Sequence, residues 1–291
     1  THLDATENDD RYVGTVQERP NIGSGNQSHD QMALTRLAPG DPTLERKLAR
    51  AVEGEVRFDR FTRGLYSTDA SHYQVEPLGV VFPRSVGDVQ AVLEVARSHD
   101  VPVLPRGGGT SQCGQTIGRA IVLDTHRHLN EVGPVEALGH GEESGGGSQA
   151  SFSGCIDVEP GVVLDHLNAT LTPDGLWFPV DPSTGSRATL GGMAGNNSAG
   201  SRSIHYGMMV DNVIDLEVVL ADGRRLWLGE SVRTGCADTI ATERERLQSL
   251  YRNNAAEIRK RQPRTMRNVA GYNLNRIGPG AEALARLLVG S

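Results

Sequence analysis

An apolar stretch that runs into three glycines and then into a second apolar stretch limits this chain more than any other feature. Val101 to Gly118 reads VPVLPRGGGTSQCGQTIG, and Ala120 to Asp124 follows as AIVLD. Gly107, Gly108 and Gly109 carry no Cβ where the backbone must bend, so successive N–H groups can turn inward as an anion-binding concavity. No lysine closes the loop, which excludes the GxxxxGK[ST] phosphate loop, and the glycine spacing does not fit GxGxxG. The loop also joins strand to strand instead of strand to helix, so the Rossmann context is missing. An anion here has to be held by oriented backbone, because the chain is acidic: 29 Lys and Arg stand against 36 Asp and Glu, a net charge of −7. That balance argues against nucleic acid or an anionic membrane as the main partner.

The segment before the loop prepares it. Gly79 to Phe82 reads as a short buried strand, ended by Pro83. Ser85 with Asp88 three residues on forms a variant of the capping box, and Val89, Val92, Leu93 and Ala96 then follow the helical period. Strand, helix and strand make a βαβ unit, which delivers the glycine loop to the C-terminal end of its last strand, Val101 to Leu104, where open α/β sheets bind ligands. Further upstream, Asp41 caps a helix with Leu44, Leu48 and Val52 at helical spacing. Arg57 to Ser71 reads as a packed surface segment, and residues 1–40, rich in Asp, Asn, Gly, Gln and Ser, as a flexible tail or an arm that packs on a neighbour.

Downstream, GHGEESGGGSQ within residues 130–152 predicts a flexible hairpin tip in which His140 has no metal role. Cys155 to Glu159 reads as a strand, Val163, Leu164, Leu167 and Leu171 as a helix face, Pro173 to Gly175 as a turn, and Leu176 to Val180 as another strand. That strand leads into DPSTGSRATLGGMAGNNSAG, Asp181 to Gly200, the densest run of small residues in the chain. Such a run lets main chain lie against a flat ligand, or forms a tightly packed helix N-terminus with no ligand at all. Behind the first loop the ligand reading is preferred. Val213 to Leu220 reads as a strand, Asp222-Gly223 as a hairpin turn with Arg224 to Leu228 pairing back. Thr239 to Lys260 is a long helix with Leu247, Leu250, Tyr251 and Ile258 on one side, and Ala281 to Leu288 a final helix.

Cys113, Cys155 and Cys236 are far apart and odd in number, which suggests neither a disulfide framework nor a CxxC metal site and fits a reducing cytoplasm. No apolar run approaches the ~20 residues of a membrane span. No signal-peptide pattern opens the chain, whose first residue is Thr, which is compatible with a missing or processed N-terminus.

PRGGGTSQCGQ resembles the pyrophosphate loop of the PCMH-type FAD-binding domain of the vanillyl-alcohol oxidase/p-cresol methylhydroxylase class. With DPSTGSRATLGGMAGNNSAG and RNVAGYNLNRI in the same order, residues 50–291 resemble the flavin half of the bacterial FAD-linked 2-hydroxy-acid dehydrogenases, whose full chains continue into a substrate cap and an iron–sulfur region. The resemblance implies an α+β fold of two α/β subdomains with FAD between them. It divides the chain into the tail at 1–40, a first subdomain with the pyrophosphate loop at 41–129, a flexible hairpin insertion at 130–152, and a second subdomain at 153–291 that stops before the cap. In that family a Glu-Gly-Thr segment that touches the flavin follows where this chain ends, at LLVGS. The expectation is therefore that this stretch alone binds FAD without turning over a substrate.

By the same resemblance Pro105, Arg106, Gly107, Gly108, Gly109, Thr110 and Ser111 embrace the pyrophosphate. Asp181, Ser183, Thr184, Thr189 and Gly192, with Asn196, Asn197, Ser198, Ala199 and Gly200, line the flavin and ribityl path. Val213 and Ile214 offer backbone to adenine, Gln115 either reaches the flavin or faces water, and Tyr66, Thr68 and Asp69 stand near the flavin entrance. Thr110 occupies the place of the histidine that attaches FAD covalently in some relatives, so non-covalent FAD is expected. Oxidation of a D-2-hydroxy acid of the D-lactate or D-2-hydroxyglutarate type needs a cation for the carboxylate, a base for the hydroxyl proton and flavin N5 as hydride acceptor. Arg202 and Arg267 are the cation candidates, and each equally fits a surface arginine. His205 beside Tyr206 fits a structural role, so no base is assigned, and by resemblance the base lies in the cap. The electron acceptor stays unassigned, and an iron–sulfur cluster belongs only to the region downstream. Two alternatives remain: a flavin reductase of the peptidoglycan-precursor type and a non-catalytic nucleotide-binding domain.

Overall fold

Asp41 opens the first helix, α1 (Pro42–Ala51), by accepting hydrogen bonds from the N–H groups of Thr43 at 2.9 Å and Leu44 at 2.8 Å. The computed structural model from which this and all later geometry comes describes residues 37–137, 154–229, 241–265, 271–277 and 283–290. Most of the expected tail lies outside those residues. Its last four are docked: the Leu37 carbonyl accepts from Arg119 and the Gly40 N–H donates to the Leu78 carbonyl at 2.8 Å.

Short elements then follow: β1 (Glu55–Arg57), α2 (Arg60–Leu65), β2 (Gly79–Phe82), α3 (Val86–Ser98), β3 (Val103–Arg106) and β4 (Ile121–Asp124). The four strands form one sheet in the order β1-β2-β4-β3, antiparallel at β1 and parallel elsewhere. The β2–α3–β3 unit thus exists, with β4 inserted between its two strands. Every residue of β2 and β4 is buried, as a parallel strand covered on both faces demands. Leu44, Leu48, Val81, Val92 and Ile121 form the core between this sheet and the helices. Residues 57–71, expected as a packed surface segment, contain α2, and β1 at 55–57 was not expected. Three residues and six residues are too short for periodicity to register, and α2 buries none of its side chains.

The expected capping box at α3 is only half formed. Ser85 does accept from the Asp88 N–H at 3.2 Å, but the Asp88 carboxylate turns away to the N–H groups of Glu53 (2.8 Å), Gly54 (3.0 Å) and Arg84 (2.8 Å). A buried carboxylate answered by three donors ties the α1–β1 turn to the start of α3.

The rest of the chain gives β5 (Val132–Ala137), β6 (Gly154–Val158), α4 (Leu164–Leu171), α5 (Leu190–Gly195), α6 (Ser203–Tyr206), α7 (Met209–Asn212), β7 (Leu216–Val219), β8 (Arg225–Leu228), α8 (Ala241–Arg261) and α9 (Ala283–Leu288). β5 and β6 pair antiparallel, so residues 132–137, expected inside the hairpin tip, are strand, and the polar tip itself lies outside the described residues. Leu176 to Val180 forms no ladder. The Leu176 N–H goes to Leu171, the Phe178 N–H goes to the Asn168 side chain, and Pro179 has no N–H to offer. The strand expected from Val213 starts only at Leu216, because α7 occupies 209–212 and Val213 closes it. Leu250 on α8 is 55% exposed, so the helix face is carried by Leu247, Tyr251 and Ile258. Val162, Leu167, Val180, Met193 and Met209 make the core here, and Leu226 and Leu228 pack on Leu284 and Ala285 of α9. Among the described residues no helix is long and apolar enough to cross a membrane.

Candidate functional site

Arg106 ends β3 directly opposite Asp124 at the end of β4, and residues 107–120 cross between the two strands. Among the described residues, the N–H groups of Gly107, Gly108, Gly109, Thr110 and Ser111 meet no acceptor in the chain. Gly109 has a φ of +63°, in the left-handed region that favours glycine. Five successive unanswered N–H groups around such a turn are the ingredients of an anion nest.

The underside of the loop is fully engaged. Arg106 Nη1 donates to the carbonyls of Tyr66 and Thr116, both at 3.3 Å, and its guanidinium lies 4.9 Å from the Tyr66 ring centre. A Cβ on Gly109 would collide with that guanidinium. The Tyr66 hydroxyl donates to Asp124 at 2.6 Å, the Ala70 N–H to the Gly109 carbonyl at 3.2 Å, and the Thr116 hydroxyl to Asp69 at 3.0 Å. Burial and the Asp124 partner push the Tyr66 hydroxyl well above its ordinary pKa, so it stays a donor. Burial lowers Arg106, and the charges of Asp124 and Asp69 oppose that shift. Burial would raise Asp69, but its bonds from Ser71 and Thr116 outweigh it and hold the carboxyl below its usual range. Ser111 donates to the Gln115 side chain at 2.7 Å, which folds this exposed amide back onto the loop.

The second small-residue stretch lies against the first. A Cβ on Gly107 would collide with the Thr189 hydroxyl, and one on Gly108 with the Arg187 carbonyl oxygen. Thr189 is buried and caps α5 through the Gly192 N–H at 3.3 Å. The run therefore opens a helix, as one of its two sequence readings has it, and also packs against the first loop. Asn197 is buried with φ +45° and accepts from the Val210 N–H at 3.0 Å, while Asn196 donates to Ser198 at 3.3 Å. Thr184 uses its carbonyl to hold Arg187 and Ala188, Ser183 is exposed, and Ala199 packs on the core.

Asp181 closes this stretch at its base. Its carboxylate accepts from the Arg202 N–H at 3.0 Å and the Ser201 hydroxyl at 2.8 Å, and a side chain on Gly200 would overlap it. Arg202 lies 3.7 Å from the same carboxylate and 4.7 Å over the Trp177 ring, so its charge already has a partner. His205 packs edge-on against Tyr206 at 4.5 Å and is exposed. Val213 packs into the core that Ala199 joins, whereas Ile214 is 44% exposed. Arg267, His140 and Cys236 lie outside the described residues. The partners missed from sequence are Arg187, which acts through its carbonyl, and Asp124. A carboxylate ending the otherwise apolar run IVLD was the one available signal for the latter.

Residues 77–229, just over half of the chain, match the family described as FAD binding domain, and the chain belongs to that family. It is 32% identical over 249 residues to D-2-hydroxyglutarate dehydrogenase of Escherichia coli (strain K12), covering 80% of this chain and 22% of that one. The corresponding enzyme of Pseudomonas putida is 38% identical over 176 residues, 60% of this chain and 16% of the relative. Glycolate oxidase subunit GlcD of Bacillus subtilis (strain 168) is 31% identical over 237 residues, 79% and 40% of the two chains. The chain thus spans between 16% and 40% of these relatives' own lengths. Among solved structures, an alkyldihydroxyacetonephosphate synthase aligns with a TM-score of 0.53 at 22% identity, over 65% of this chain and 36% of that one. Physcomitrella patens BBE-like 1 aligns at 0.51 and 20%, over 64% and 37%. These likenesses give the fold, the α+β arrangement of PCMH-type FAD-binding domains. FAD is the cofactor of the class, and the unanswered N–H groups over a half-buried guanidinium fit its pyrophosphate.

Proposed function

We propose that this chain is the FAD-holding part of an oxidoreductase acting on a D-2-hydroxy acid, of the D-lactate or D-2-hydroxyglutarate type. The observation that carries this reading is the run of free N–H groups from Gly107 to Ser111, braced by Thr189 and Arg187, in a chain whose relatives are named for such dehydrogenases. Bound FAD would supply N5 as the hydride acceptor. The chain's own part is to bind and orient. Gly107 to Ser111 hold the pyrophosphate, the stretches Asp181 to Thr189 and Asn196 to Gly200 wall the flavin path, and Val213 and Ile214 flank adenine. The first subdomain, 41–129, and the second, 153–291, contribute one loop each. Thr110 offers no imidazole for attachment, so FAD is held without a covalent bond. Arg202 is committed to Asp181 and Trp177, which favours a supporting role over carboxylate capture and leaves Arg267 as the cation candidate. The free thiols of Cys113 and Cys155 favour a reducing, cytoplasmic setting. An iron–sulfur cluster, if the full-length protein holds one, belongs outside these residues.

The test is anaerobic mixing of the FAD-loaded, full-length protein with D-lactate, D-2-hydroxyglutarate, glycolate and NADPH while the visible flavin band is followed. Bleaching by a hydroxy acid and not by NADPH is expected. Bleaching by NADPH alone would replace this reading with a reductase, and a protein that takes up no flavin would remove both.

A further inference from the structure

We propose that Arg106 is the counter-charge that lets a loop backed by two carboxylates accept a pyrophosphate, and that it thereby sets a preference for a phosphorylated flavin over an unphosphorylated one. The inference rests on the FAD reading above and adds the residue that decides which flavin is taken. An anion nest built from backbone N–H groups carries only partial charges. Behind this one stand Asp124, the register partner of Arg106, and Asp69, joined to the loop through Thr116. The hydrogen bonds from Ser71 and Thr116 keep Asp69 ionised. Without compensation these carboxylates would present a negative field to any incoming phosphate.

Arg106 is placed to cancel it. Its guanidinium packs against Gly109, where a Cβ would collide with it, and is pinned by the Tyr66 and Thr116 carbonyls. Tyr66 contacts both groups, its ring 4.9 Å from this cation and its hydroxyl donating to Asp124. The guanidinium is spent on carbonyls and the ring and not on either carboxylate, whose bonds go to Tyr66, Ser71 and Thr116, so its positive charge stays beside the loop. Partial burial makes the charge count for more than it would in water. Arg106 acts here as a positioning and specificity residue whose effect reaches the ligand through the loop.

The experiment compares FAD with riboflavin, which lacks the phosphates, by fluorescence titration of wild type, Arg106→Gln, Asp69→Asn and the double variant. Asp69→Asn keeps both local hydrogen bonds, because the amide oxygen can accept from Ser71 and the Thr116 hydroxyl can turn to accept. Arg106→Gln should weaken FAD by about tenfold or more, the scale of close charge couplings, and leave riboflavin within about twofold. Adding Asp69→Asn should restore several-fold of the lost FAD affinity, which a purely structural role of Arg106 would not produce. Equal loss of both flavins, or no recovery in the double variant, overturns the proposal. If Arg106→Gln does not accumulate as folded protein, Arg106→Lys decides: retained preference for FAD supports the charge, and parallel loss of both flavins overturns it. Wild-type protein that binds neither flavin would instead remove the FAD reading itself.

Discussion

Gly108 faces the Arg187 carbonyl so closely that a Cβ on it would overlap that oxygen. The first loop is therefore held in place by the second, and the glycine is required by protein packing as well as by any ligand. Gly108→Ala should force the two stretches apart at a cost of about 1–3 kcal/mol, the usual scale of overpacking. Flavin retained on gel filtration and the melting temperature should both fall. Gly64→Ala is the control: a Cβ there meets nothing within 4 Å in exposed helix α2, so stability should rise slightly and flavin binding stay constant. Gly108→Ala with unchanged flavin retention would detach the loop contact from the site.

Asp181 joins the two ends of the second stretch, and its acid–base behaviour gives a signature. Burial alone would raise its pKa, but the Arg202 N–H, the Ser201 hydroxyl and the charge of Arg202 outweigh that and lower it. A depressed folded-state pKa contributes stability that is fully present above the unfolded value of about 3.9 and is lost as pH falls through the folded one. Asp181→Asn should lower stability by about 1 kcal/mol at neutral pH. The gap between wild type and variant should close progressively once pH falls below about 4. Melting curves from neutral pH into acid check this, and a gap that widens in acid would contradict the clasp.

Asp88 offers a separation of stability from binding. Asp88→Ala removes the buried acceptor of three N–H groups, those of Glu53, Gly54 and Arg84, which should cost about 1–3 kcal/mol because these donors are partly open to water. Urea midpoints should drop markedly. At temperatures where the variant remains folded its flavin affinity should match wild type, because the turn lies at the start of α3 and not at the glycine loop. A selective loss of flavin without loss of stability would reverse that assignment.

What was legible in the sequence followed from local chemistry. Asp41 and Ser85 as caps, β2 and β4 as apolar runs, the Asp222-Gly223 turn and the glycine loop could all be read from neighbouring residues. What escaped depended on partners distant in sequence. Asp88 abandons the local capping geometry because Glu53 and Gly54 supply better donors across the sheet. Leu176 to Val180 has strand-like residues, but Asn168 and Leu171 had already taken its donors. At the site, the glycines announced a close approach without naming what approaches. Arg187, exposed and charged, contributes a carbonyl oxygen, which no side-chain motif records. Arg106 lies within the motif, and the structure packs its guanidinium against Gly109, a contact that its place in the sequence does not announce.

Cys113 allows the site to be located without altering it. The thiol is exposed, two residues past Ser111, and the Cys113 N–H is held by the Ser111 hydroxyl at 3.3 Å, so it follows the loop. A pyrophosphate held by the N–H groups of Gly107 to Ser111 would bring the rest of FAD over this segment and restrict the approach of an alkylating reagent. Cys155 lies on β6 in the other part of the chain and is half-buried, with a thiol pushed up first by burial and then by Glu136 and Asp157. Alkylation follows the thiolate, so Cys155 should react slowly whether or not flavin is present. Iodoacetamide labelling followed by peptide mass spectrometry should therefore show several-fold protection of Cys113 by FAD, little protection by riboflavin at the same concentration, and no change at Cys155. Equal labelling of Cys113 with and without bound FAD would mean that the cofactor lies elsewhere than on this loop.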